Sequence, residues 1–139
     1  MLKRKKERKG KGVTLLELLI IVVIVGVLAT LGLMNYGGVR EKSLTKEALA
    51  NLQLIAAAER IYRMEYGTYY GPESDIGDIN SVLKLSLSGR NWGYSITQAG
   101  ADTFTSTADR TGGSFDTCVY TIDEATDRPV PVNPANCPK

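Results

Sequence analysis

The sequence predicts an α+β protein in which one long helix near the amino terminus packs against a three- or four-stranded antiparallel sheet. Two observations predict this arrangement. The first half of the chain contains a continuous apolar run followed by apolar residues at helical spacing, whereas the second half contains short segments in which apolar and polar residues alternate. The length of 139 residues suits a single domain.

The helix is predicted over residues 13–66. Its first part reads VTLLELLIIVVIVGVLATLGLM from Val13, 22 residues in which Glu17 is the only charge. A helix of that length spans about 33 Å, close to the roughly 30 Å hydrocarbon core of a bilayer. Residues 13–39 are therefore predicted to cross a membrane or to pack with copies of themselves, and the run is longer than that of an ordinary cleaved secretory signal.

The second part of the helix is predicted to be amphipathic. Its apolar stripe, spaced by three and four residues, consists of Leu44, Ala48, Leu52, Ile55, Glu59, Tyr62 and Tyr66. Only Glu59 interrupts this stripe, and its position four residues before Arg63 predicts an ion pair between the two side chains. Gly67 is expected to end the helix.

Residues 67–139 are predicted to form a globular β domain. Alternating patterns mark strands around Trp92–Ile96, Asp102–Ala108 and Cys118–Ile122, and Asp78 is expected to cap a short helix over Ile79–Leu87. Because 73 residues are marginal for an independent core, we expect the sheet to pack on the helix stripe. A freely tethered domain is the alternative.

The distribution of charge indicates how the chain would be oriented. The first twelve residues carry seven basic side chains and one acidic side chain, whereas the remainder carries ten basic and fourteen acidic ones. The basic segment is expected to stay in the cytoplasm and to place the carboxy-terminal part outside. Because the remainder is net negative, no nucleic-acid partner is expected.

The composition argues against catalysis. The chain has no histidine, which removes the commonest general base and the commonest metal ligand. No nucleophile and base stand out as a pair, so neither an enzyme nor a cofactor is expected. Cys118 and Cys137 are the only cysteines, and a disulfide between them fits an oxidising compartment; two free buried thiols are the alternative.

Glu17 is the most informative single residue. A carboxylate within an apolar segment costs about 2.5–3.5 kcal/mol on insertion scales, unless it lies near the membrane surface and reaches water. Cleavage after Gly12 would create an α-amino group on Val13, four residues from Glu17. That amine would supply the positive partner that a carboxylate in an apolar setting needs.

A short basic leader that ends at Gly12, followed by VTLLELLIIVVIVGVLA, resembles type IVa-like prepilins with a class III signal peptide and their pseudopilin relatives. The resemblance implies a pilin-like fold and a prepilin peptidase that removes residues 1–12 and methylates Val13. It also implies that Glu17 recruits each subunit to the growing filament. Val13 and Met34 depart from the phenylalanine and proline that are usual in the family at these positions.

The function implied by the resemblance is that of a structural pilus subunit, associated with cell adhesion or motility. The precursor would be inserted in the inner membrane and polymerised through its apolar helix into an extracellular filament. Its partners would be copies of itself, the prepilin peptidase, the pilus assembly platform, minor pilins and membrane lipid. The alternatives are a pseudopilin of a type II secretion system, in a periplasmic pseudopilus, and a signal-anchored binding module that does not polymerise.

Two features of the globular domain also relate to this family. The disulfide-bounded segment 118–137 resembles the carboxy-terminal loop that such a bridge commonly encloses in pilins. Glu73, Asp75 and Asp78 are candidate calcium ligands, because major pseudopilins often hold calcium in a loop. The alternative for these three acids is a solvated loop with a helix cap.

Overall fold

The computed structural model describes residues 12–33 and 36–138, which form two compact units that divide after Gly37. The predicted leader, apart from Gly12, lies outside the described residues, as does Met34. Of the long helix predicted over residues 13–66, the structure describes two helical segments, α1 (Leu15–Leu33) and α2 (Tyr36–Tyr66), and residues 34 and 35 between them lie outside the described residues.

Helix α1 belongs to the first unit and begins with a side-chain cap. The Thr14 hydroxyl oxygen accepts a hydrogen bond from the Glu17 backbone N–H at 3.2 Å, and the Thr14 carbonyl accepts one from the Leu18 N–H at 3.1 Å. No helix within residues 12–33 and 36–138 combines the length and apolar character needed to cross a membrane. The membrane-spanning role of residues 13–39 stays a prediction.

Helix α2 and the sheet form the second unit. Gly67 ends α2 as predicted, with a positive φ of 78° and a hydrogen bond from its N–H to the Arg63 carbonyl. The strands are β1 (Trp92–Ala99), β2 (Phe104–Arg110), β3 (Val119–Asp123) and β4 (Val130–Pro131). They form an antiparallel sheet in the order β1-β2-β3-β4, which confirms the predicted meander and adds its fourth strand.

The core of this unit lies between α2 and one face of the sheet. Alternate residues of each long strand are buried, as period-two patterning requires, and they join the buried side of α2. The core cluster includes Ala48, Leu52, Ile55, Trp92, Tyr94, Ile96, Phe104, Ala108, Tyr120 and Ile122. The sheet therefore packs on the predicted stripe, and the freely tethered alternative is wrong.

Two local predictions are wrong. The short helix is α3 (Ile76–Val82), and Asp75 caps it instead of Asp78, because the Asp75 carboxylate accepts hydrogen bonds from the Gly77 and Asp78 N–H groups. The Glu59–Arg63 ion pair is not formed either. Arg63 instead pairs with Asp102 and lies over the Tyr69 ring, because Glu59 points into the buried side of the helix.

A buried ion pair connects the start of α2 to the end of β2. The Arg110 guanidinium donates to both carboxylate oxygens of Glu41, at 3.0 and 3.2 Å, and also to the carbonyls of Asn91 and Thr111. The two side chains are only 6% and 15% exposed. The Arg110 guanidinium also lies over the Trp92 ring, 5.8 Å from its centroid. Arg110 therefore makes both an ion pair and an aromatic contact.

We expect Glu41→Gln to lower the free energy of unfolding by about 3 kcal/mol, because it leaves the buried Arg110 charge uncompensated. Asp127→Asn is the matched control. Asp127 pairs with Arg60 at 3.3 Å but its side chain is 91% exposed, so its loss should cost less than about 1 kcal/mol. Urea titration of the full chain in detergent, followed by Trp92 fluorescence, measures both; equal losses would contradict the prediction.

Candidate functional site

The amino-terminal segment of the described chain places the predicted processing site outside regular structure. Gly12, Val13 and Thr14 precede α1 and are exposed, with Val13 at 65%. Within the described residues, no heavy atom beyond its chain neighbours lies within 4 Å of a Cβ built on Gly12. The bond between Gly12 and Val13 lies before the first residue of α1.

Glu17 lies in the first turn of α1, three residues after the Thr14 cap. Negative charge near a helix amino terminus is stabilised by the macrodipole, by about 0.3–1 kcal/mol at exposed positions. An α-ammonium group created on Val13 would add positive charge at the same end of the helix. Glu17 and such a group would lie at the same end of α1.

Helix α1 has no core of its own in the first unit. Its large side chains from Leu15 to Leu28 are between 48 and 85% exposed, and Glu17 is the only charged residue of the helix. Burying one such side chain completely contributes about 1.5–3 kcal/mol. An uncovered apolar helix of this kind requires another apolar surface, in lipid or in protein.

The candidate calcium ligands of the second unit are used by the backbone of their own loop. One Glu73 oxygen accepts hydrogen bonds from the Ser74 and Asp75 N–H groups at 2.7 and 2.9 Å. One Asp75 oxygen accepts from Gly77 and Asp78 at 2.7 and 3.1 Å. No group of three or more histidine, cysteine or acidic side chains within the described ranges is arranged to hold a metal ion.

Comparison with known proteins identifies the family to which the segment around α1 belongs. Residues 8–33 match the family model of the prokaryotic N-terminal methylation motif. The type IV major pilin protein PilA of Myxococcus xanthus is 30% identical over 94 residues, which cover 68% of this chain and 40% of PilA. The chain belongs to the family of type IV pilins and pseudopilins.

Other relatives within the pilin and pseudopilin family are type II secretion system core proteins G. The protein from Dickeya chrysanthemi is 32% identical over 71 residues, 51% of this chain and 46% of its own length. The protein from Vibrio cholerae is 36% identical over 73 residues, 52% of this chain and 49% of its own length. The chain thus spans less than half the length of the curated relatives described here.

The match to the pilin methylation motif covers Gly12, Val13, Glu17 and the whole of α1. It also covers Thr14, whose capping role the sequence analysis missed. The spacing of Thr14 and Glu17 is the signature of a capping box, a threonine followed three residues later by a glutamate, and that signature alone could have found the start of the helix. The structure forms the Thr14 half of this motif.

The disulfide of this family member lies in the second unit, at the far end of the chain. Cys118 and Cys137 are bonded and buried, with a Cα–Cα distance of 4.8 Å, so the alternative of two free thiols is wrong. The bridge encloses β4, whose end is held by a hydrogen bond from the Val132 N–H to the Val119 carbonyl at 2.9 Å. Strand β4 has only two residues and pairs with Tyr120 and Thr121 of β3 within the segment that the disulfide encloses.

Reduction of the disulfide is expected to lower the free energy of unfolding by about 3 kcal/mol. The reason is that the unfolded chain regains the conformational entropy that the closed loop had removed. Urea titration of the full chain, with and without a thiol reductant, measures the difference. A variant with both Cys118→Ala and Cys137→Ala is the control, and its unfolding midpoint should not respond to the reductant. An unchanged midpoint in the wild-type chain after complete reduction would contradict this expectation.

Proposed function

We propose that this chain is a structural subunit of an extracellular type IV pilus, made as a precursor that is cut after Gly12 and methylated at Val13. The observation that carries the proposal is α1, an apolar helix whose large side chains from Leu15 to Leu28 are exposed and which lies within the match to the methylation motif. Copies of α1 packed on one another would bury these side chains. The role is structural, and no catalytic step is assigned to the subunit.

Assembly through α1 explains the position of Glu17. Within a bundle of apolar helices an unpaired carboxylate is costly, whereas a carboxylate paired with an ammonium group is satisfied. The Val13 α-ammonium group of an adjacent subunit is the partner we propose. Such contacts join different surfaces of identical subunits, and they build an open helical filament when the rotation from one subunit to the next does not close a ring.

Before assembly, the same helix would hold the precursor in the inner membrane with the basic residues 1–12 in the cytoplasm. In this proposal lipid is the first partner of α1. The prepilin peptidase, the assembly platform and minor pilins act on the chain next, and the mature subunit ends in a filament on the cell surface. The site assignment is Gly12 and Val13 for processing, Val13 for methylation and Glu17 for assembly.

A second candidate is a pseudopilin of a type II secretion system, which would form a short periplasmic filament. Two of the relatives described above carry the name core protein G of that system, and this observation favours it. The disulfide-bounded segment 118–137 favours the pilus, because it resembles the terminal loop of pilins. Deletion of the gene separates the candidates: loss of surface filaments supports the pilus, and loss of protein secretion with filaments retained supports the pseudopilus.

Processing is tested by intact-mass and amino-terminal analysis of the protein from its native membrane and from a sheared surface fraction. We expect a chain that begins at methylated Val13. A chain that still begins at Met1, or one that is cut well beyond Ala29, would overturn the proposal in favour of an anchored or secreted binding module.

Assembly is tested with Glu17→Ala, which should be processed normally and yet fail to form filaments, because the neighbouring ammonium group loses its partner. Glu65→Ala is the control, since Glu65 is an exposed carboxylate on α2 in the other unit. The measurements are the amino-terminal sequence of the membrane-bound protein and the yield of sheared filaments. Normal filament yield from Glu17→Ala would favour the binding module that does not polymerise.

A further inference from the structure

The buried side of α2 contains an ionisable group that the proposed function does not use. Glu59 has no exposed surface, and its Oε2 accepts a hydrogen bond from the Tyr70 backbone N–H at 2.8 Å. Its Oε1 is buried and has no hydrogen-bond partner within the described residues. This carboxyl group is therefore half satisfied in an apolar environment.

No positive charge in the described part of the second unit bonds to this carboxyl group. Three of the arginines are engaged elsewhere, Arg60 with Asp127, Arg63 with Asp102 and Arg110 with Glu41. The other described lysines and arginines of this unit are exposed. The ionisable groups that act together with Glu59 on Tyr70, the residue bonded to it, are Tyr62 of α2, Glu73 of the following loop and Asp78 of α3.

The electrostatics favour the neutral form of Glu59. Burial raises its pKa from 4.5 to about 7, and the hydrogen bond from Tyr70 offsets only part of that effect. Burial also raises the pKa values of Tyr70, Tyr94 and Tyr120 above 10, so these phenols keep their protons near neutral pH. The chain has no histidine, and burial brings the pKa of Glu59 into the range around pH 7.

Tyr70, whose N–H is bonded to Glu59, lies in the middle of a loop that backbone hydrogen bonds fix on both sides. The Tyr69 N–H donates to the Gly100 carbonyl at 2.9 Å, and Glu73 exchanges two backbone hydrogen bonds with Ile96 of β1. Between these anchors, the Tyr70 N–H is bonded to Glu59. The segment Tyr70–Pro72 is thus the part of the loop whose position on α2 depends on this carboxyl group.

Opening of the segment Tyr70–Pro72 would change the exposure of an aromatic cluster formed by Tyr62, Tyr66 and Tyr70. The Tyr70 ring meets Tyr62 edge-on, with centroids 5.6 Å apart, and Tyr62 stacks on Tyr66 at 4.4 Å. Tyr66 is 65% exposed. A displacement of Tyr70 would therefore expose one side of the Tyr62 ring at the end of α2.

We propose that Glu59 is a pH-sensitive latch: its neutral carboxyl group keeps the segment Tyr70–Pro72 closed on α2, and its ionisation opens this segment. The proton leaves to solvent, and the opened segment admits water to the carboxylate, because a charge without a partner is not stable in the closed site. This latch is independent of filament formation, since every group that it uses lies in the second unit.

The sign of the pH dependence follows from the raised pKa. The folded state binds the Glu59 proton more tightly than the open state, where we take the ordinary value of 4.5. The contribution of this group to the closed form is therefore fully present below about pH 4.5, decreases as the pH rises, and is lost above about pH 7. Between pH 5.5 and 8.5 the equilibrium constant for opening of the segment Tyr70–Pro72 should increase about 30-fold.

The test is amide hydrogen exchange of the full chain in detergent between pH 5.5 and 8.5, with protection factors corrected for the intrinsic effect of pH. In the wild-type chain the protection of the Tyr70 amide should decrease about 30-fold across this range. In Glu59→Gln, where the neutral amide replaces the neutral acid, it should not depend on pH. Glu65→Gln, which removes an exposed carboxylate from the same helix, should behave as the wild type does.

The amide of Tyr120 in the sheet distinguishes local opening from global unfolding. It should keep its protection while Tyr70 loses protection. An equal loss at both amides would overturn the latch, as would a Tyr70 amide whose protection does not change with pH.

If Glu59→Gln does not fold, the carboxyl ¹³C shift of Glu59 in the wild-type chain gives the midpoint of its titration directly. That midpoint must coincide with the change in Tyr70 protection, and a separation of more than one pH unit would overturn the proposal.

Discussion

The packing of the α2 stripe against the four-stranded sheet is the interaction on which the second unit depends. Three strands of five to eight residues and one strand of two residues cannot bury a core by themselves. Leu52 and Ile55 of α2 supply the opposing surface, together with the small residue Ala48, which lets the helix approach the sheet closely. The Glu41–Arg110 pair then fixes the start of α2 to the end of β2, so the helix is held by both apolar and polar contacts.

Helix α1 differs from α2 in how its apolar side chains are distributed and exposed. The residues of α2 divide into a buried side and an exposed side, whereas those of α1 are apolar on nearly every side and exposed in the first unit. The stability of α1 in a cell therefore has to come from a second surface, first lipid and then copies of the same helix in the function proposed here. One chain thus contains a unit that is complete by itself and a helix that is completed by assembly.

The parts of the fold that could be predicted from the sequence are those with a clear period. The alternation around Trp92 and Phe104 gave the strands, and the three- and four-residue spacing in α2 gave the side that packs on the sheet. In the amino-terminal site, Gly12 stands directly before the apolar run and Glu17 is the lone charge within it, so both residues stand out from their neighbours. Their roles in processing and assembly stay predictions.

The parts that could not be predicted depend on contacts between residues distant in the sequence. Arg63 had a suitable partner at Glu59 on its own helix, and only the tertiary structure shows that Asp102 is closer and that Glu59 is buried. The cap of α3 was placed three residues too late because Asp75 and Asp78 are chemically equal candidates. The position of Asp75 next to the bridge between Glu73 and Ile96 decides between them, and no local pattern encodes that bridge.

Glu17 and Glu59 show two ways in which one protein can keep a carboxyl group among apolar residues. Glu17 lies in the first turn of α1, where the α-ammonium group proposed on Val13 of an adjacent subunit would be its partner. Glu59 lies in a core without a cation, where burial favours the neutral acid and only one oxygen is bonded. In the functions proposed here, the first carboxyl group acts through a partner that processing would create, whereas the second responds to the proton concentration. For this reason assembly is proposed for Glu17 and control of a loop for Glu59.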